Sequence, residues 1–348
     1  MDPLKISQAL IAVYGRYEEY MLGWLGKRIS SATLTEDMYH ARRIADELAD
    51  EASSMAIRIM DLAADEAIGS VLVKLDGPRT APTVSPAVYH MLGELGQRLD
   101  NVHQAILRTP DDIYRQTVAL GSAQSILEGQ PLKVRHRRIW QQFVENGITG
   151  FTDESGRNWN LVSYVEMASR SSVASAYRAQ QDHTLLENDV NLATIVTTSD
   201  ACETCASWSG KIIALDGLPP GRKRLWSPIT GKNEDVTIHA TKQQAIEDGL
   251  WHPICQCTQV AHFPGDAKPT PTPYNESEHK ARMKQRYHER KIRQLKREAL
   301  ADPEFDYSAR IKHHQTQIRS LVDNYQLSRK REREQINFGY KAQEATNG

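Results

Sequence analysis

Leu192-Ala193-Thr194-Ile195-Val196-Thr197-Thr198-Ser199-Asp200-Ala201-Cys202-Glu203-Thr204-Cys205 and, further on, His252-Pro253-Ile254-Cys255-Gln256-Cys257 are the stretches that decide the fold. The first begins as a β-branched, apolar run, the composition of a strand, and feeds directly into a C-x-x-C turn. Such a turn places two sulfurs on one side of a tight loop, as a tetrahedral zinc requires of one knuckle. The second stretch offers three candidates for the two remaining places. His252 and Cys255 have knuckle-like spacing, while Cys255 and Cys257 are two apart and would share one face of an extended strand. The reading is a structural Zn²⁺ held by Cys202, Cys205, Cys255 and either His252 or Cys257. The competing reading is four reduced structural cysteines, or disulfides formed after cell lysis.

The chain has four cysteines in all, so every thiol lies in these two stretches and they form one unit. The region from 200 to 260 is loop-rich, with Trp208, Trp226 and Trp251 as its main apolar mass. A metal would tie its two ends together. The 348 residues suffice for two or three domains, and 40% apolar against 25% charged residues is enough to build a core. Apolar runs such as Ala9 to Tyr14 fall far short of the roughly 20 residues that cross a bilayer. The start Met1-Asp2-Pro3-Leu4-Lys5 lacks the plan of a signal peptide, so folding in a cytosol with reduced thiols is expected.

Outward from the cysteines, a β-hairpin is expected over Gly147 to Trp159 around Asp153-Glu154-Ser155-Gly156. Ser163-Tyr164-Val165-Glu166 reads as a capping box opening a helix to about Ala179. Short strands fit Lys211 to Ile213 and Val236 to Ile238, and a short helix fits 241 to 248. Upstream, helices are expected over 4–29, 36–68, 86–107, 110–127 and 131–146. Met38, Ile44, Leu48, Met55, Ile59, Leu62 and Ala63 form the stripe of the second, and Thr109-Pro110 is a fresh helix start. The first 130 residues hold 12 Lys and Arg against 18 Asp and Glu, an acidic helical region.

Downstream, Pro264 to Pro273 reads as a Pro/Thr linker, followed by a basic helix from Glu276 to Leu300. From Lys280 to Arg297 there are nine Lys or Arg and one acid, Glu289. With only a narrow seam of Tyr287, Ile292 and Leu295, this helix is expected to stay out of any core. It reads either as half of a hairpin on an amphipathic helix from Tyr307 to Glu334, or as a contact for nucleic-acid backbone. The contact residues would be Lys284, Arg286, Arg290, Lys291, Arg293, Lys296 and Arg297, without sequence readout. The acidic N-terminal region is a third candidate partner for these cations, within the protein or across subunits.

The fold class is therefore α+β, in three parts: a mostly helical N-terminal region over 1–130, a central α+β domain with a Cys/His knuckle over 131–265, and a basic helical arm over 276–338. No catalytic pattern is present. H-x-E with P-C-x-x-C, H-E-x-x-H and a phosphate loop before Gly210-Lys211 or Gly231-Lys232 are all missing from the sequence. No enzyme activity, small-molecule substrate or membrane contact is expected. An enzyme would need Asp200, Glu203 and His252 gathered in a polar pocket with an open metal position.

Five pieces in order carry a family resemblance: the stretch Gly147 to Trp159, Ser163 to Arg170, Cys202 to Cys205 with Trp208-Ser209-Gly210-Lys211-Ile212, Gly249 to Cys257, and Gln285 to Arg293. Together they resemble the phage minor capsid protein family, related to the Mu F-type head morphogenesis proteins, over Ile106 to Phe338. That resemblance implies a virion component present in few copies, met in the host cytoplasm during assembly. It implies contact with the portal or major capsid protein and a part in handling packaged DNA. Relatives of that kind place a His at the position of Cys257, which favours 257 over His252 as the fourth ligand. The alternative function is a zinc-knuckle nucleic-acid-binding protein outside the particle.

Overall fold

The structure is a computed structural model that describes residues 3–28, 34–75, 81–123, 151–152, 158–253, 255, 257–267 and 269–337. Among them the helices are α1 (Pro3–Arg28), α2 (Leu34–Leu75), α3 (Pro86–Ala123), α4 (Leu161–Glu187), α5 (Glu203–Ser207), α6 (Lys242–Glu247), α7 (Glu276–Ala301) and α8 (Ser308–Tyr325). The strands are β1 (Phe151–Thr152), β2 (Asn158–Trp159), β3 (Leu192–Val196), β4 (Ile212–Ala214), β5 (Gly221–Ser227), β6 (Lys232–Ile238), β7 (Ala240–Thr241) and β8 (Thr258–Ala261). The class is α+β, as expected. The chain divides into two compact units. One comprises Met1–Ile6, Arg58–Gly93 and Arg170–Met283; the other comprises Ser7–Ile57, Glu94–Ser169 and Lys284–Gly348.

The first unit carries a four-stranded sheet in the order β7-β4-β3-β8, in which β3 pairs antiparallel with both β4 and β8, and β4 pairs parallel with β7. Alternation along β3 and β4 divides their side chains between two cores. Ala193, Ile195 and Ile213 join Cys205, Trp208, Ala245, Leu250, Cys255 and Cys257 on one face. Leu192, Ile212 and Ala214 join Val236 and Ile238 of β6 on the other. Helix α4 packs its end here and stops in a Schellman turn. Asp189 adopts φ 61°, with the Val190 N–H on the Leu185 carbonyl at 2.9 Å and the Asp189 N–H on Leu186 at 3.1 Å. The helix thus runs past the expected end at Ala179, because Gln180, Gln181, Thr184 and Leu185 are still buried. Its N-cap is Asn160, whose side-chain oxygen accepts the Ser163 N–H at 3.3 Å, not the expected Ser163. The Pro/Thr segment lies against the turn between α5 and β4: the Thr272 N–H donates to Ser209 Oγ at 2.7 Å, and a Cβ on Gly210 (φ 72°) would meet Pro271 at 3.3 Å.

In the second unit α1 is buried nearly all round from Leu10 to Tyr14, the mark of a central helix. Across both units the buried seam of α2 is largely alanine: Ala41, Ala45, Leu48, Ala52, Ala56, Ile59, Ala63 and Ala67. This corrects the expected stripe, of which Leu62 is exposed and Ile44 and Met55 are only half-buried. Helix α3 is continuous through Pro110, where a break was expected. The buried positions Leu95, Leu99, Val102 and Ile106 hold the helical spacing up to it, and the fixed proline φ fits a helix at the cost of one backbone bond. Helix α8 ends at Tyr325 rather than Glu334, closed by Gln326 at φ 51°, and a 3₁₀ turn covers Arg331–Glu334. Strands β1 and β2 pair antiparallel as the expected hairpin requires. Its turn and the expected helix over 131–146 lie outside the described residues.

Candidate functional site

The cysteine stretches meet because β3 and β8 are neighbours. Val196, at the end of β3, pairs with Thr258, at the start of β8, so the loop after one and the loop before the other begin side by side. Cys202 caps α5 in extended conformation (φ −67°, ψ 164°), and its sulfur accepts the Cys205 N–H at 3.4 Å. On the returning leg Gly249 (φ 88°) and Trp251 (φ 62°) turn the chain back. The Cys255 N–H then closes on the His252 carbonyl at 2.9 Å, and the Cys257 N–H donates to Cys255 Sγ at 3.4 Å. Two peptide N–H groups therefore already point at sulfur, an arrangement that favours thiolate.

The ligand atoms fall into two triads that share Cys205. Cys202, Cys205 and His252 form one, and Cys205, Cys255 and Cys257 the other; within each, all donor atoms lie within 4.8 Å of one another. Cys202 Sγ is 3.1 Å from His252 Nε2, and Cys205 Sγ is 3.3 Å from Cys255 Sγ. Both candidates for the fourth place, His252 and Cys257, are thus brought in. Cys205, Cys255 and Cys257 are buried, Cys202 is half-buried and His252 is exposed. The His252 Nδ1 lies 3.0 Å from the Pro253 carbonyl, an acceptor, a contact that suits a hydrogen on Nδ1 and directs Nε2 to Cys202. Hydrogen bonds from Cys205 and Cys257 hold Cys255 far below the usual thiol range, while hydrogen bonding to Cys255 and burial push Cys205 up. The donor set, with its buried sulfurs, oriented imidazole and N–H···S bonds, fits a soft or borderline divalent cation.

A layer of cations that the sequence reading missed backs the thiols. Arg178 is buried with its guanidinium 5.2 Å over the Trp251 ring. Burial pulls it down to about 10, against the opposing pull of Cys255, Cys257 and Cys205. Lys242 lies 5.7 Å from the same ring, is pushed down to about 8 by burial and then by Arg178, and is ion-paired with Asp182. Asp182 also accepts from buried Gln259. A lone Arg or Lys inside α4 or α6 gives no sequence signal of this role. Asp200 is taken by an ion pair with Arg282, and Glu203 is exposed at the start of α5.

The basic helix is placed differently from its expectation. Lys284 and Arg290 are exposed; Arg286, Lys291 and Lys296 are half-buried; Arg293 and Arg297 are buried. Arg297 Nε donates to Glu18 Oε2 at 2.7 Å and its Nη2 to Asn160 Oδ1 at 3.2 Å. Arg293 donates to the Arg333 carbonyl and lies 3.6 Å from Glu166. Arg333 pairs with Glu166 at 2.8 Å and Glu289 at 2.6 Å. Lys291 donates to Gln294 at 2.9 Å and Lys296 to Gln335. The expectation that this helix stays out of a core is therefore corrected: its inward cations are matched by carboxylates, and Glu18 of the acidic N-terminal region supplies one of them.

These features define a class: an α+β chain whose small sheet is closed by converging thiols and an imidazole, and whose basic helix is seated on internal acids. The family described as Phage minor capsid protein 2 matches residues 42–326, most of the chain, and the chain belongs to that family of structural phage proteins. No curated protein and no solved structure matches it. Among the described residues no helix is long and apolar enough to cross a membrane.

Proposed function

We propose that the protein is a non-catalytic component of a tailed-phage virion that takes part in head assembly through the portal or the major capsid protein. The observation that carries this reading is the family match over 42–326. Structural Zn²⁺ belongs to the same reading: Cys202, Cys205 and Cys255, with His252 or Cys257, hold the ion that closes the sheet's loops. The metal supplies folding energy there and no bond-making chemistry. Packaged DNA is a secondary partner, met without sequence readout, and on α7 the exposed Lys284 and Arg290 are its available contacts.

Mass spectrometry of purified particles tests the assignment. The protein is expected at low, fixed copy number beside the portal and major capsid proteins, and its absence from mature particles would remove the structural reading. Elemental analysis of the folded, full-length chain is expected to give about one zinc per chain. Less than about half an equivalent in a folded sample removes the staple.

A further inference from the structure

The ribbon β5–β6 is paired over seven positions, from Gly221↔Ile238 to Ser227↔Lys232. Its inner face supplies Val236, Ile238 and Leu225 to the core. Its outer face presents Arg222, Arg224 and Trp226 in file on β5, with Thr237, Asp235 and Asn233 directly opposite. All six are exposed, Trp226 at 63%. At two residues per step the Cα atoms of Arg222 and Arg224 stand about 7 Å apart along the strand, with Trp226 one step further.

The tip is fixed rather than slack. Ser227 is fully buried, and its Oγ accepts the Ile229 N–H at 3.2 Å and the Thr230 N–H at 3.1 Å, while its carbonyl accepts the Gly231 N–H at 3.0 Å. A Cβ on Gly265 would meet Ser227, Thr230 and Glu234 at 3.2 Å, so the inner side of the tip is pressed against that turn. On this rigid base Pro228 and Ile229 face outward, Ile229 at 57% exposure. Among the described residues nothing covers this indole, proline and isoleucine, which stand in water beside two arginines.

We propose that this ribbon is a contact arm for duplex DNA. Arg222 and Arg224 meet backbone phosphates without reading sequence, and Trp226, Pro228 and Ile229 bear on a base step as an apolar wedge. A two-stranded ribbon fits a DNA groove, aliphatic side chains and proline are the common wedges, and an indole stacks on any base. Asp235, 2.8 Å from Arg222, opposes the phosphates and holds Arg222 in place. The inference deepens the DNA part of the proposed function and depends on neither the zinc staple nor α7.

The test uses the full-length protein and a short mixed-sequence duplex, with unchanged circular dichroism and melting as the check of folding. Arg222→Glu with Arg224→Glu is expected to weaken binding roughly tenfold or more and to flatten the dependence of log K on log salt by about 1.8, the share of two phosphate contacts. Trp226→Ala with Ile229→Ala is expected to leave that slope and to abolish the preference for a duplex carrying a mismatched, easily kinked step over the intact one. Asp235→Asn is expected to tighten binding. A folded Arg222/Arg224 variant with wild-type affinity and slope overturns the proposal, as does a slope carried wholly by Lys284→Glu with Arg290→Glu. Ribbon variants that bind DNA normally but no longer co-purify with particle proteins also overturn it and make the face a protein contact. Absence of the protein from particles would defeat the virion reading and leave these binding results standing.

Discussion

The two units close their loops with opposite chemistry. In the second unit four carboxylates (Glu18, Glu166, Glu289, Glu334) meet four guanidiniums (Arg293, Arg297, Arg329, Arg333) in ion pairs, and Arg329 grips Glu334 through two bonds of 2.7 and 2.9 Å. Each of these eight charges has its counter-charge inside the protein. In the first unit three buried thiols, a half-buried thiol and an imidazole converge on each other with no hard partner among them. Arg178 and Lys242 stand behind the Trp251 ring, and Lys242 is spoken for by Asp182. A cluster that neutralises itself is a structural end in itself. A cluster of donors that do not neutralise each other has coordination to offer a partner from outside. Cys205, Cys255 and Cys257 are as buried as these carboxylates, so donor–acceptor balance rather than burial separates the two clusters.

Removing the outside partner is expected to have the largest effect. Binding free energies of structural zinc are on the order of 10 kcal/mol, and in small loop-rich regions this is folding free energy. Cys205→Ser strikes the ligand common to both triads. It is expected to drop bound zinc below half an equivalent and to unfold the sheet of the first unit, seen as loss of amide protection in β3, β4 and β8. The second unit is expected to keep its protection. Wild-type protection in Cys205→Ser would make the thiols a packed core and nothing more. His252→Ala against Cys257→Ala sharpens the ligand choice: the one that keeps a full equivalent of zinc identifies the residue outside the tetrahedron.

The brace is expected to be costly to break by halves and less costly to remove whole. Arg333→Ala leaves Glu166 and Glu289 buried without one of their partners, and an uncompensated buried carboxylate costs about 3–5 kcal/mol. Replacing Arg333 and Glu289 together by apolar residues of similar size is expected to recover most of that loss in denaturant titrations. A single-variant cost below about 1 kcal/mol would show that water reaches these groups and that the contrast between the units is smaller than the burial suggests.

What was legible in the sequence follows the range of the signal. The C-x-x-C turn, the strand before it and the C-x-C return are local patterns, and they located the Cys/His cluster of the first unit. The cations of α7 misled for the opposite reason. Arg297 finds Glu18 at a separation of 279 residues, and Arg333 finds Glu289 at 44, so periodicity along α7 showed charge without its partners. Strand β5 was missed because its outer positions, Arg222, Arg224 and Trp226, are neither uniformly polar nor apolar, so the alternation is hidden. The seam of α2 was misread because close approach of helices selects alanine, whereas pattern reading weights the large residues such as Leu62. Arg178 behind the thiols has no pattern at all; only the fold brings it there.

The smallest effect tests a contact that lies between the two cases. His288 on α7 and His314 on α8 place their Nδ1 atoms 2.8 Å apart, with His313 ring-to-ring 5.4 Å from His314. One Nδ1 must donate and the other accept, so the bond exists only while at least one ring is neutral. Burial holds both below the ordinary histidine range; His313 adds to this for both, and His288, Lys291 and Arg310 add to it for His314. The folded state therefore binds fewer protons than the unfolded chain in this window. The contribution of the pair is full above the unfolded histidine pKa of about 6.5 and is lost as pH falls below it. His288→Gln with His314→Gln is expected to flatten the loss of stability between neutral pH and pH 5 by a fraction of a kcal/mol, because both rings are partly in water. A variant whose stability falls with acid as steeply as the wild type would assign that loss to the buried carboxylates, and the hairpin of α7 and α8 would then depend on pH only through the ion-paired brace.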